Sequence, residues 1–150
     1  MSRRDALTLD LFRDATPEPV VPRFAPEEVK AWTLARRLSR AISRTLDACD
    51  QSREAIATAM SEHLGDRVSK AMLDAYASPE KPHAISAERL MALVVVTGDA
   101  RPLNALLNEA GLIVVPEKYE SLLRRERARE MKELAEREEH AADAEWRARR

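Results

Sequence analysis

Residues 68–76, VSKAMLDAY, hold the side chains whose types and spacing suit noncovalent chemistry with an anion. Ser69 stands where a helix would begin, so its hydroxyl and the first backbone N–H groups can donate hydrogen bonds to a phosphate oxygen. Lys70 adds a positive charge beside it. Leu73 and Tyr76 are spaced to face a core. The helix would therefore present outward Lys70, Ala71, Asp74 and Ala75.

The other reactive side chains form no catalytic or metal-binding pattern. His63, His83 and His140 are far apart in the sequence and lack partner ligands at metal-binding spacing. There is no Ser-His-Asp or Cys-His pattern, no phosphate-binding glycine loop and no pair of carboxylates in an apolar setting. The single cysteine, Cys49, cannot form an internal disulfide and is expected as a small apolar residue in a helix. We therefore expect no enzyme activity, no metal and no cofactor.

Composition favours an all-α protein. The chain of 150 residues has only three glycines, and 4% of its residues are aromatic, so the core must be built from aliphatic side chains. The net charge is −1, so any contact with nucleic acid must come from a local patch. No apolar run reaches the roughly 18 residues that a membrane span needs, and no secretion signal is recognised. These features predict a cytoplasmic protein that does not enter the membrane.

Two helices are predicted before residues 68–76. Between residues 27 and 50, apolar residues recur at helical spacing and arginines lie on the opposite side. The next helix would run from about Arg53 to Leu64, and Gly65 would end it. The first helix has its apolar positions at Trp32, Ala35, Leu38, Ile42 and Leu46, and its basic positions at Arg36, Arg37, Arg40 and Arg44.

Two shorter helices are predicted after residues 68–76. Ser86 would cap the first of them and Gly98 would end it. Asp99 would cap the second, and Gly111 would end it. The apolar run LIVV that follows is either a short strand or a segment packed on the core.

The segment VSKAMLDAY resembles the recognition helix of lambda-repressor-like helix-turn-helix domains. In that family Val-Ser is followed by an aliphatic residue four positions after the serine and by an aromatic residue three positions later, and Ser69, Leu73 and Tyr76 fit. With the helix order, residues 28–115 are similar to phage regulators of the CII type and to small regulators of Mu-like prophages. The resemblance implies a five-helix, lambda-repressor-like domain that binds double-stranded DNA sequence-specifically. It also implies a regulator of phage or prophage transcription in the cytoplasm of a bacterial host.

The resemblance also implies a set of DNA contacts. The sequence departs from the family pattern in two ways, and these departures leave alternative functions open. The connection SEHLGDR is longer than the usual turn, and residues 52–81 hold four basic and five acidic side chains, which is the wrong balance for phosphate contacts. The alternatives are a non-catalytic protein-interaction adaptor and a replication or transposition accessory factor. The implied DNA-binding residues are Arg67, Ser69, Lys70, Ala71 and Asp74, with Arg36, Arg40 and Arg44 on the phosphate backbone.

Both ends of the chain are predicted to lie outside the domain at residues 27–115. Residues 1–26 are rich in proline and predict a disordered arm. Within the arm, TLDLF at residues 8–12 resembles the short peptide that docks on the bacterial sliding clamp, with Leu9, Leu11 and Phe12 as contacts. Residues 116–150 predict a long charged helix. Its thin apolar seam of Leu123, Met131 and Leu134 favours a homodimer modestly over a solvated helix.

Overall fold

In the computed structural model, which describes residues 19–80 and 83–149, the chain is all-helical, as predicted. No strand occurs in these ranges, so the LIVV run is a chain segment rather than a strand. The chain divides between Val114 and Val115 into two units. The first unit contains α1 (Leu34–Ala48), α2 (Arg53–Leu64), α3 (Lys70–Tyr76), α4 (Ala87–Thr97), α5 (Arg101–Leu107) and a 3-10 turn (Asn108–Ala110). The second contains a 3-10 turn (Glu117–Tyr119) and α6 (Glu120–Ala148).

Among the described residues, no helix combines the length and the apolar character that a membrane crossing requires.

Local signals in the sequence set most helix ends. The side chains of Ser52, Ser69 and Ser86 accept hydrogen bonds from backbone N–H groups in the first turns of α2, α3 and α4. Gly65 and Gly98 end α2 and α4 with φ of 65° and 67°, a conformation that side chains disfavour. The predicted cap of α5 is displaced by one residue. Its N-cap is Ala100, while the Asp99 carboxylate accepts the Arg101 N–H at 2.9 Å.

The core of the first unit joins α1, α2, α3 and α4. Its central side chains are almost completely buried and come from each of these helices. All are aliphatic or methionine, as the low aromatic content predicts. They are Ile42, Ile56, Met60, Leu73 and Leu93.

The beginning of α1 differs from the prediction. The helix starts at Leu34 rather than near residue 27, because Thr33 caps it by accepting the Arg36 N–H. Trp32 therefore lies before the helix and is 97% exposed, so its assignment to the buried stripe was wrong. Ala35 is also exposed and Leu38 is half-buried, so the stripe is fully buried only at Ile42 and Leu46.

A second, smaller core holds the chain that precedes α1. Phe24 and Val29 pack with Ala41 of α1, and the Arg101 guanidinium lies 4.3 Å from the centre of the Phe24 ring. These residues include part of the segment that composition assigned to an arm. The chain around residue 24 therefore packs on the first unit, because burial of the apolar Phe24 side chain is favourable.

Asn104 of α5 ties both flanks of the first unit together. Its Nδ2 donates to the carbonyl oxygens of Pro22 at 2.8 Å and Val114 at 3.1 Å. Its Oδ1 accepts the Val114 N–H at 2.6 Å. Since Asn104 is buried, these backbone groups depend on the amide for their hydrogen bonds.

We predict that Asn104→Ala lowers the free energy of unfolding by about 1–3 kcal/mol, because it removes the three hydrogen bonds that the buried amide makes with half-buried backbone groups of Pro22 and Val114. Urea denaturation followed by circular dichroism measures this change. The exposed Asn108 provides the control, and Asn108→Ala should leave stability nearly unchanged. Equal loss in the two variants would contradict the role of Asn104.

Candidate nucleic-acid interface

The hydroxyl of Ser61 fixes the turn between α2 and α3. It accepts the Val68 N–H at 2.9 Å, and its own proton donates to the carbonyl oxygen of Ala57 at 2.8 Å or of Val68 at 3.1 Å. Val68 is buried, so its backbone needs these partners. The long connection is thus held to α2. Sequence reasoning missed Ser61, although a serine one turn before a helix-ending glycine was the available signal.

Arg89 of α4 holds the same turn and the far end of α3. Its Nη1 donates to the Tyr76 hydroxyl at 2.8 Å, and its Nη2 forms an ion pair with Asp66 Oδ2 at 3.0 Å. The hydrogen bond from Arg89 lowers the pKa of Asp66. The Tyr76 ring is buried as predicted, so α3 is anchored at both ends.

Ion pairs of Arg53 join the three helices α1, α2 and α3. The Arg53 guanidinium of α2 bridges Asp74 of α3 at 2.7 Å and Asp47 of α1 at 2.8 Å. The hydrogen bond to Asp74 raises the pKa of Arg53 against a smaller opposing effect of burial. Next to this bridge, Lys70 Nζ lies 2.8 Å from Glu54 Oε1, and their hydrogen bond raises the pKa of Lys70 and lowers that of Glu54. Asp74, Asp47 and Glu54 are therefore each paired with a cation, although the three carboxylates share only two cations and keep a net negative charge.

The predicted outward residues of α3 share one exposed side. Lys70, Ala71 and Asp74 are exposed, whereas Ala75 is half-buried. Ser69 is also half-buried, because its hydroxyl accepts the Met72 N–H at 3.3 Å as the helix cap.

Arg67 lies in the turn that precedes α3 and is exposed. Within the described ranges its guanidinium has no ion-pair partner. The turn therefore presents a positive charge immediately before the exposed side of α3.

The arginines of α1 lie on a surface of mixed charge, because Glu27, Glu28 and Glu80 line the same grooves. Arg36, Arg40 and Arg44 are exposed, while Arg37 pairs with Glu109 at 2.7 Å. Arg40 donates to the Lys30 carbonyl oxygen. It also lines one groove with Arg36 and Pro79 and another with Arg44, Asp47 and Pro79. Pro79 follows α3 closely, so the arginine side of α1 adjoins the chain that leaves α3.

The predicted partner-binding residues fall into two groups. Leu9, Leu11 and Phe12 lie outside the described residues. Leu123, Met131 and Leu134 lie on α6, where roughly half of each side chain is exposed. Along residues 120–148 no side chain is buried, so the apolar seam of α6 is solvated in the single chain.

In the described part of the chain, no three His, Cys, Asp or Glu side chains are grouped so that they could hold a metal ion.

Comparison with known proteins bears on the helical hairpin formed by α2 and α3. The family model of phage regulatory protein CII (CP76) matches residues 45–141, well over half of the chain. No curated protein and no solved structure matches the chain. The matched residues run from the second half of α1 through α2 and α3 and most of the way along α6. This match confirms the predicted resemblance to CII-type phage regulators: the chain belongs to the phage regulatory protein CII (CP76) family.

Proposed function

We propose that this protein is a sequence-specific, double-stranded DNA-binding regulator of phage or prophage transcription. In this proposal α2 and α3 form a helix-turn-helix, and α3 enters the major groove while α2 crosses the phosphate backbone. The observation that carries it is the anchoring of α3 by Ser61 and Arg89 with one side left exposed. A short helix held in this way is a rigid element that can enter a groove.

The exposed side of α3 supplies the proposed base contacts. Lys70 and Ala71 would face base edges together with Asp74, and the Ser69 hydroxyl, whose proton is not used by the cap, would donate to a phosphate. Arg67 would contact the backbone from the turn. The pair between Lys70 and Glu54 is exposed to solvent and therefore weak, so Lys70 can exchange Glu54 for DNA at little cost.

The arginines of α1 would add affinity without selecting a sequence. Arg36, Arg40 and Arg44 are exposed beside the chain that leaves α3. Guanidinium groups that neutralise phosphates release counterions, so this contribution falls as salt rises. These contacts would position α3 on the duplex rather than choose its site.

The proposed protein acts by binding alone, and membership of a regulatory family supports a role without catalysis. Its proposed assembly is a homodimer joined through Leu123, Met131 and Leu134 of α6, whose exposed apolar surface would be buried on pairing. A dimer would place two copies of α3 on half-sites one helical turn apart.

The rival function is a non-catalytic adaptor that binds protein. The observation in its favour is that Glu54, Asp74 and Asp47 lie among the cations around α3, which lowers the attraction for phosphates. An accessory role in replication or transposition would instead depend on residues 8–12. Deletion of residues 1–14 would abolish only that role.

The base contact of Lys70 is tested by neutralising each partner of its ion pair. Lys70→Gln should weaken binding to a duplex selected from a random pool by about tenfold, because a base or phosphate contact is lost. Glu54→Gln should strengthen binding, because it removes a carboxylate from the same surface and releases Lys70. Fluorescence anisotropy at one salt concentration measures both affinities.

These two variants are matched, because each removes the same ion pair from the free protein. Any shared effect on stability therefore changes both in the same direction. Opposite changes in affinity show that this surface faces DNA, and a larger loss on the selected duplex than on unselected duplexes in Lys70→Gln assigns Lys70 a base contact. A similar weakening in both variants would refute that contact.

The backbone contacts of α1 are tested by salt dependence. Arg36→Gln and Arg44→Gln should each weaken binding to selected and unselected duplexes alike and reduce the slope of log K against log salt by about one. The control is Arg37→Gln, since Arg37 is engaged by Glu109 and should leave the slope unchanged. A loss restricted to the selected site would show that these arginines read sequence.

The turn clamp is tested by Ser61→Ala. Loss of the acceptor for the buried Val68 N–H should lower the free energy of unfolding by about 1–3 kcal/mol. Affinity for the selected duplex should fall more than affinity for unselected duplexes, because α3 is no longer held at one angle. Thr58→Ala is the matched control, since among the described residues the Thr58 hydroxyl bonds only to the Glu54 carbonyl oxygen, within α2. Similar losses in both variants would mean that the turn does not depend on Ser61.

A further inference from the structure

The Asp74 carboxylate has two differently placed oxygens. Its Oδ1 accepts a hydrogen bond from Arg53 Nη1 at 2.7 Å. Its Oδ2 has no hydrogen-bond partner within the described residues, and the residue is exposed on the same side of α3 as Lys70 and Ala71. One oxygen is therefore bound within the protein while the other remains able to accept a hydrogen bond.

Arg53 holds that carboxylate in a defined position. Its second nitrogen, Nη2, donates to Asp47 Oδ1 at 2.8 Å, so the planar guanidinium is held at both ends. A carboxylate on an exposed side chain would otherwise rotate freely. Here the fork of Arg53 limits the rotation and places a positive charge against Asp74, which reduces its repulsion from phosphates.

A carboxylate can only accept hydrogen bonds, which limits the bases it can read. Guanine and thymine present acceptors in the major groove, while cytosine presents its N4 amine and adenine its N6 amine. At adenine the amine lies beside the N7 acceptor, whose lone pair would oppose a carboxylate. At cytosine no acceptor lies on that base's own edge beyond the amine, so an aspartate is matched to cytosine.

We infer that Asp74 is a specificity-determining residue that reads a cytosine N4 amine through its Oδ2, and that Arg53 is the residue that positions it. This inference rests on the proposed binding of α3 in the major groove. In this role Asp74 favours one base over the others. The charge count of residues 52–81, by contrast, indicated only that a carboxylate on α3 opposes binding to DNA of any sequence. The preference at the base pair that Asp74 contacts then depends on one hydrogen-bond donor, the N4 amine of cytosine.

The first test changes the protein. The full-length chain and Asp74→Asn are each used to select duplexes from a random-sequence pool. The wild-type site should contain one cytosine that changes to adenine in the Asp74→Asn site, because an amide both donates to N7 and accepts from N6. The other positions should stay the same. Glu62→Gln removes an exposed carboxylate of α2 that forms no ion pair within the described residues, so it should leave every base preference unchanged.

The second test changes the DNA. The selected cytosine is replaced by a pyrimidin-2-one nucleotide, which lacks only the 4-amino group. Wild-type affinity should fall by about 5- to 100-fold, as expected for the loss of one base-reading contact. Asp74→Ala should bind the cytosine and pyrimidin-2-one duplexes equally. Comparing the two duplexes on the same protein cancels any effect of the substitution on folding.

The outcomes separate the two proposals. A wild-type protein that selects no site overturns the proposed function and this inference together. A selected site that is unchanged in Asp74→Asn, or that tolerates removal of the amino group, overturns the inference alone. A single-position change from cytosine to adenine, with loss of affinity for the amine-deficient duplex, establishes the reading role of Asp74.

Discussion

The hydrogen bonds between the Ser61 side chain and the Val68 backbone help to set the position of α3, and every proposed contact to a base depends on that position. α3 has seven residues, which is too short to be stable as an isolated helix in water. Its orientation must therefore come from tertiary anchors. Ser61 ties its leading turn to α2, and Leu73 commits its inner side to the core. Arg89 then holds the Tyr76 end, so little freedom remains along the helix.

This anchoring explains how an acidic surface can belong to a proposed DNA reader. Counted along the chain, the carboxylates around α3 outnumber the cations. In space, Asp74 and Asp47 share Arg53, and Glu54 shares Lys70. Pairing leaves the net charge of this group unchanged, but it puts a cation 2.7–2.8 Å from each of these carboxylates, so a phosphate close to α3 meets less repulsion than it would from isolated carboxylates. The remaining discrimination then comes from where individual oxygen and nitrogen atoms point.

The helices were predictable from the sequence because their signals are local. Ser52, Ser69 and Ser86 cap helices within three residues of themselves, and Gly65 ends α2 by its own backbone conformation. Because the available signals were local, they predicted which helix carries the candidate site but not the contacts that orient it. Which residues of α3 face outward was predicted from its period, and Lys70, Ala71 and Asp74 are exposed while Ala75 is half-buried.

The contacts that orient the site join residues far apart in the sequence, and no periodicity identifies them. Arg53 meets Asp74 across 21 positions, and Arg89 meets Asp66 across 23. The Trp32 error has a related cause. Helical spacing extended the apolar stripe to residue 32, but Thr33 is the N-cap of α1, so the helix begins after Trp32. Burial of Phe24 likewise depends on Arg101 and Ala41, which the proline-rich composition around it does not indicate.

The family match and the physical argument cover different parts of the proposed interface. Residues 45–141 include α2, α3 and most of α6, whereas Arg36, Arg40 and Arg44 lie before them. Membership therefore supports the helical hairpin and carries no information about these arginines. Their proposed role rests on exposure and charge beside the chain that leaves α3. Since a phosphate contact needs a positive charge within reach rather than one residue at one angle, that role tolerates variation in position. A contact to a base does not tolerate such variation. The proposed base contacts therefore lie on α3, which Ser61, Arg89 and Arg53 hold in place through Val68, Tyr76 and Asp74.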